Sequence, residues 1–531
     1  MPENSWDAQL TPGERQLPQY RLRKNILANL LARVWGVISV YLFVPIYLAF
    51  LGVEGYGLVG FYSTLLLVLT FADMGFTATV KREMASLSAH EATSRTIGDV
   101  LRTYEIAYAV IASALSLFVF ALAPFIAEHW LQATGLNAAD VSTAIRLMGF
   151  AIAFELLAGL YAGALMGLDR QVLSNGLQVG WAMLRAVGVA IILWLVSRTV
   201  IAFFAWQLFA NVIYFVAARW CGWHAGSVFF RSTHPEFRLK ILIDARRYAA
   251  GMAGVAIIFT LLTQLDKLAV SRLLSLEMLG YYTLAVALAS VPTMLGSPVA
   301  LAVFPRLTVL STQRDRVGLA LLYQRTCSLV SLASIPAGLT LAFLAPNFLF
   351  AWTGSHLIAD TAGHAAALLM VGQVLQALQL VPFYVSLAHA DVRINLVLGV
   401  VSVLVLAPFL VFSVGRFGIA GAGLCWVVLN VCILPIYLHY VHKRFGLGSI
   451  WVWLYQFLVL PVFTAAPVAA LGYLLLPVEA SRLVVILLIG VVWVSSLSVT
   501  ILVAPGFRSL VRPQLRQAFR ILTRQSPENA V

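Results

Sequence analysis

Apolar residues along this chain come in long runs, separated by short intervals where glycine, proline and charged residues gather. A helix needs about 20 mostly apolar residues to cross a bilayer. Runs of that length lie at 26–51, 57–84, 100–126, 142–168, 172–197, 199–220 and 248–274. They continue at 282–305, 323–350, 362–388, 395–414, 419–441, 451–476 and 482–504. The break between the fifth and sixth runs is narrow, consisting of Arg198 and Thr199. The runs are too long for barrel strands, which alternate polar and apolar positions over roughly 10 residues. The pattern predicts an all-α polytopic membrane protein with about fourteen transmembrane helices.

Composition agrees with lipid as the solvent. Hydrophobic residues make up 61% of the chain and charged residues 11%, against about 25% charged residues in a soluble domain. The net charge of +13 invites comparison with a nucleic-acid binder, but its distribution argues against one. With the amino terminus placed in the cytoplasm, 27 of the 35 Lys and Arg residues fall at cytoplasmic loops, helix ends or tails. This is the bias expected of multi-pass membrane proteins, and it places both termini in the cytoplasm. Cys221, Cys327, Cys425 and Cys432 lack metal-ligand spacing and read as small buried hydrophobes. Residues 1–24 carry Pro2, Pro12 and Pro18 and are expected to form a disordered cytoplasmic tail with no cleavable signal.

Between the sixth and seventh runs, 221–247 reads as a cytoplasmic linker containing His234, Pro235 and a basic stretch from Arg238 to Arg247. The tail 505–531 spaces Arg508, Arg512, Arg516, Arg520 and Arg524 by four, with Leu515, Phe519 and Leu522 on another face. That pattern suits either an interfacial helix on anionic membrane lipids or a frayed basic tail that only fixes topology.

The chain also repeats itself. Glu54 and Glu277 are 223 apart, Asp169 and Asp391 are 222 apart, and Arg82 and Arg306 are 224 apart. Trp206 and Asn211 in one run answer to Trp426 and Asn430 in another. Six runs separate the copies. An even number predicts two six-helix lobes in the same orientation, at 25–220 and 248–442, related by a pseudo-twofold along the membrane normal. The runs within 451–504 are appended outside the repeat.

The segments LGVEGYG at 51–57, FADMGFTATVKREMA at 71–85, QLDKLAVSRLLSLEMLGYY at 264–282 and FPRLTVLS at 304–311 resemble bacterial polysaccharide and O-antigen flippases. That family belongs to the superfamily of lipid II flippases and MATE-type drug exporters. The resemblance implies two lobes forming a V around a central cavity. It also implies flipping of an undecaprenyl-pyrophosphate-linked oligosaccharide, the partner molecule, to the periplasmic face of the inner membrane. Glycan polymerase or ligase machinery is the further partner it suggests.

Charges inside the runs mark candidate sites, because an ionised group near the bilayer centre costs about 2.5–3.5 kcal/mol on insertion scales. Asn25, Asn29 and Arg33 form a polar stripe in the first run, with the two asparagines as candidate sugar contacts. Thr70, Asp73 and Thr77 lie in the second. Arg33 and Asp73 are each 20 residues from position 53, so an antiparallel hairpin puts them level. Glu155 and Arg185 are each 15 residues from Arg170 and are level in the same way. Each pair reads either as a self-neutralising structural lock or as a cavity wall in which Arg33 and Arg185 engage pyrophosphate, for which guanidinium is suited. In the second reading a carboxylate that releases its arginine on protonation couples flipping to an ion gradient. In the seventh run, Asp266, Lys267 and Arg272 read as a snorkelling rim or, with Arg146, as an outer phosphate gate. Gln373, Gln376 and Gln379 suit sugar hydroxyls or interhelical bonding, and Tyr384 and His389 follow them. Pro292, Gly296 and Pro298 predict a bend in the eighth run.

No P-loop, HExxH or GxSxG motif is present. The expectation is a transporter without a cofactor or bound metal rather than an enzyme. A MATE-type exporter is the alternative within the superfamily. A membrane glycan polymerase or ligase would need a larger outer loop than the one at about 127–141.

Overall fold

The computed structural model describes residues 12–69, 73, 75–89, 94–227, 235–477 and 480–503. Side chains at 12–38, 40, 89, 94–96, 225–227, 245–256 and 258–259 are outside that description. The basic tail at 505–531 and His234 therefore lie outside the described residues, as do the side chains of Asn25, Asn29 and Arg33.

Among the described residues the protein is helical with no strand. In chain order the helices are α1 (Pro12–Leu69), α2 (Phe76–Ala89), α3 (Ser94–Phe125), α4 (Ala138–Gly167), α5 (Gln171–Leu195), α6 (Val200–Ser227), α7 (Leu239–Leu273) and α8 (Leu276–Ala289). They continue with α9 (Val291–Thr312), α10 (Arg316–Phe343), α11 (Ala345–Thr353), α12 (His356–Ala388), α13 (Arg393–Phe445), α14 (Ile450–Leu454), α15 (Leu460–Leu474) and α16 (Arg482–Val503). Among the described residues 11 helices are long and apolar enough to span a membrane. The fourteen runs exceed that number for two reasons. Kinks at Gly52 (φ 69°) and Gly418 (φ 60°) each join two runs, into α1 and α13, and the seventh run crosses residues whose side chains are not described.

Several runs are less continuous than their hydropathy implies. In the second run the described part of α1 reaches Leu69, and a separate helix, α2, begins at Phe76. Gly75 adopts φ 72° in this break, a left-handed conformation that glycine takes without a Cβ clash. The eighth run is two helices meeting at Ser290, where Pro292 lacks the N–H that would continue the ladder. The expected bend thus lies two residues ahead of that proline. The ninth ends at Phe343 and gives way after Leu344 to α11, whose first turn holds Pro346. The thirteenth contains a π turn at Tyr455–Val459. Pro461 cannot donate to the Phe457 carbonyl four residues earlier, and Ser331 Oγ on α10 donates to it instead at 2.7 Å.

The chain divides into two compact units, Met1–Gln264 and Leu265–Val531. In the first, α4 packs against α2 through Gly163 and Gly167. A Cβ on Gly163 would lie 3.2 Å from the Thr77 carbonyl oxygen, and one on Gly167 would lie 2.5 Å from that of Lys81. Small residues spaced by four let two helix backbones approach closely in lipid. The core there is lined by Tyr104, Tyr108 and Tyr161, each fully buried. In the second unit, Arg482 at the head of α16 donates to the carbonyls of Ala351 and Trp352 at 3.0 and 3.1 Å. It thereby supplies donors that the end of α11 lacks.

Candidate functional site

The first unit assembles a polar cluster from four helices. Glu155 stands on α4, Trp181 and Arg185 on α5, Asn211 on α6 and Tyr62 on the second half of α1. Arg185 Nη1 lies 3.9 Å from Glu155 Oε2. That separation is an ion pair but too long for a hydrogen bond. The carboxylate is instead held by neutral donors: Asn211 Nδ2 at 3.3 Å and the Tyr62 hydroxyl at 3.5 Å. Asn211 also donates to the Ala151 carbonyl at 2.8 Å and accepts from Trp181 Nε1 at 2.8 Å. The indole donor fixes which end of the amide faces Glu155. The Arg185 guanidinium lies over the Trp181 ring, with Cζ 4.8 Å from its centroid, a cation–π contact. Arg185 and Glu155 keep 32% and 20% of their side-chain surface exposed. The arginine's N–H groups are not committed to Glu155.

Asp73 sits elsewhere than the sequence suggests. It lies in the break before α2, not inside a continuous helix. Its Oδ1 accepts from Thr77 N at 3.2 Å and Thr77 Oγ1 at 2.6 Å. The Tyr108 hydroxyl on α3 also donates to it, and Tyr108 and Thr77 hydroxyls lie 2.9 Å apart. Asp73 thus caps α2 and ties it to α3. The backbone of Asn25, Asn29 and Arg33 is helical within α1; their side chains are outside the described residues.

Arg146 on α4 places its guanidinium over Phe120, with Cζ 4.7 Å from the ring centroid. Arg272 is exposed in the last turn of α7. Arg146 belongs to the first unit and Arg272 to the second. Asp266 on α7 is 8% exposed and accepts from the Tyr282 hydroxyl of α8 at 2.5 Å and from Lys267 N at 2.8 Å. Lys267 is half-buried beside it. Gln373 accepts from Thr293 Oγ1 of α9 at 3.2 Å, Gln379 donates to Asn430 Oδ1 of α13 at 2.9 Å, and Gln376 is half-buried. Gln373 and Gln379 thus bond between helices, as amides in lipid commonly do. His389 stacks on Phe445 at 4.1 Å between centroids. Among the described residues, no group of three or more His, Cys, Asp or Glu could hold a metal ion.

One cluster escaped the sequence reading. Glu105 on α3 pairs with Arg219 Nε of α6 at 2.7 Å and with Arg102 Nη1 at 2.8 Å. Asp99, Arg102 and Glu105 at the head of the third run resemble ordinary rim charges. Only the spacing of three residues between charges hints that they share a helix face.

The fold is shared with known transporters. The structure aligns with the lipid II flippase MurJ in an inward closed conformation (TM-score 0.66, 13% identity, 92% of this chain and 99% of that one). It also aligns with an inward-facing multidrug resistance MATE family transporter of the MOP superfamily (TM-score 0.63, 15% identity, 78% and 94%). In sequence it is 22% identical over 401 residues to the "Putative O-antigen transporter" of Shigella flexneri, covering 72% of this chain and 90% of that protein. Residues 22–311, more than half of the chain, match the model of the polysaccharide biosynthesis protein family, and this multi-pass membrane protein belongs to that family.

Proposed function

We propose that this protein flips an undecaprenyl-pyrophosphate-linked oligosaccharide across the bacterial inner membrane by alternating access, with both termini in the cytoplasm. The family match over residues 22–311 carries this reading, and the fold likeness to a lipid II flippase supports it. The chemistry of the polar cluster is suited to such a substrate. A pyrophosphate needs a cation that presents several donors in one plane, and Arg185 has them, set on Trp181 and 3.9 Å from Glu155. Protonation of Glu155 would weaken its hold on Arg185 and shift the guanidinium toward the phosphate, which links transport to a proton gradient. Arg33 is the second pyrophosphate contact, and Arg146, Lys267 and Arg272 bind phosphate further along the path. Asp266 holds Lys267 in place. Asn25, Asn29, Gln373 and Gln376 meet sugar hydroxyls. The protein is a transporter without catalytic residues. Its basic tail binds anionic lipid, and it hands its product to glycan polymerase or ligase machinery.

The test is deletion followed by leaflet analysis. The lipid-linked glycan is expected to accumulate on the cytoplasmic leaflet while the surface polymer disappears. If the polymer persists and only drug sensitivity changes, the exporter reading, which the MATE likeness favours, replaces this one.

A further inference from the structure

The segment that leads into α7 is bound to the head of α3. Asp99 is 1% exposed and Thr103 is fully buried on α3, one turn apart. Asp99 Oδ1 accepts from the Glu236 backbone N–H at 2.7 Å. Its Oδ2 lies 2.8 Å from Arg238 Nη2. Thr103 Oγ1 accepts from the Arg238 backbone N–H at 2.9 Å and donates to the Asp99 carbonyl at 2.6 Å. Two of these contacts grip backbone, so they hold the path of the chain and not merely a side chain. Two residues further along α3, Glu105 pairs with Arg219 of α6 at 2.7 Å. The entry to α7 and the body of α6 are thus both bonded to the same stretch of α3.

We propose that Asp99 and Thr103 form a clamp that holds residues 235–238, the strap at the entry to α7, on α3, so that the start of α7 moves with α3 during transport. Three observations support a mechanical role over incidental contact. The carboxylate is buried, and a buried charge persists only where its partners are supplied. Asp99 meets one short segment through both oxygens, Oδ1 by its hydrogen bond from Glu236 N–H and Oδ2 by the ion pair with Arg238. Flexible linkers carry exposed backbone polar groups that bond to water, whereas here two successive alternate N–H groups, those of Glu236 and Arg238, are taken up by side chains.

Transport coupling rests on the flippase reading above; the clamp itself does not, so the test has two readouts. Purified full-length protein is treated with trypsin, and cleavage after Arg238 and Lys240 is timed for wild type, Asp99→Ala and Thr103→Val. Opening of a strap held by charge-assisted bonds limits such cleavage. Wild type is expected to resist, and Asp99→Ala to be cut at least about tenfold faster. Thr103→Val, which keeps size and shape, should fall between them. Equal rates for all three overturn the clamp. The second readout is surface polymer at matched protein level in the membrane: both variants should lower it. A released strap with full polymer output overturns the mechanical role while leaving the clamp geometry standing. Should Asp99→Ala fail to accumulate, Thr103→Val and Asp99→Asn carry both readouts, because each retains part of the bonding and is compatible with folding. Loss of trypsin protection together with a wild-type protein that moves no glycan would indict the flippase reading and not the clamp.

Discussion

Glu155 and Asp73 are both carboxylates within spanning runs, yet their surroundings give them different work. Glu155 accepts from two neutral side chains and faces Arg185 at 3.9 Å without a hydrogen bond. Asp73 accepts the Thr77 N–H and hydroxyl and so closes the first turn of α2. The distinction sets the experiment. Exchanging Arg33 and Asp73 would strip that cap along with moving the cation, so a dead exchange says nothing about Arg33. Asparagine caps as well as aspartate, and Asp73→Asn is therefore expected to leave protein level within about twofold of wild type, since a sound cap is worth only ~1 kcal/mol. Asp73→Ala should lower it. Arg185→Ala is expected to keep protein level near wild type, because Glu155 retains Asn211 and Tyr62, while glycan translocation falls about tenfold or more, the loss of one charged contact to phosphate. Quantitative immunoblotting beside surface-polymer staining checks both, and an Arg185→Ala protein with full translocation removes Arg185 from the substrate path.

Among elements of the first unit, α4 packs with its backbone close against that of α2. A methyl at Gly167 would meet the Lys81 carbonyl at 2.5 Å and Met84 Cβ at 2.7 Å, and neither atom belongs to the end of a flexible chain. Gly167→Val should therefore part the two helices and lower thermal stability by several degrees, on the scale of overpacking penalties of about 1–3 kcal/mol. Gly159→Ala, one turn before Gly163 on the same helix, meets no atom within 4 Å and should be neutral or slightly stabilising, as alanine favours helix over glycine by about 1 kcal/mol. A thermal melt in detergent compares them. The two turns after α4 and α12 illustrate the repeat at this scale. Arg170 N bonds Leu165 O and Asp169 N bonds Met166 O; likewise Asp391 N bonds Ser386 O and Ala390 N bonds Leu387 O. Asp169 and Ala390 take φ 57° and 55°. The backbone thus aligns Asp169 with Ala390, one residue away from the Asp169–Asp391 match that the side chains suggest.

At the level of the molecule, topology follows from where cations gather. Dragging Lys and Arg across the membrane is costly, so they stay where insertion begins. Reporter fusions at residue 531 and within 221–247 are both expected to report cytoplasm; a periplasmic signal from either reverses the proposed path. The strap at Asp99 adds a mechanical consequence to that path. If 221–247 is cytoplasmic, the clamp lies at the cytoplasmic head of α3, on the side where a lipid-linked substrate would enter.

Hydropathy by itself determined that the chain is helical and crosses the membrane many times, because the bilayer's length requirement acts on every segment separately and needs no knowledge of neighbours. The level pairing of Glu155 with Arg185 was also legible, since both depths count from one turn. Tertiary structure decided what counting cannot reach. The separate start of α2 rests on the left-handed Gly75 and the Asp73 cap, while hydropathy continues across them. Satisfaction of the Phe457 carbonyl depends on Ser331, 126 residues away in sequence. The grip of Asp99 on Glu236 and Arg238 spans 137 residues for its first contact. These are donor–acceptor matches between distant segments. A run of residues specifies its own burial, but only the packed fold determines which orphaned N–H or C=O meets which side chain.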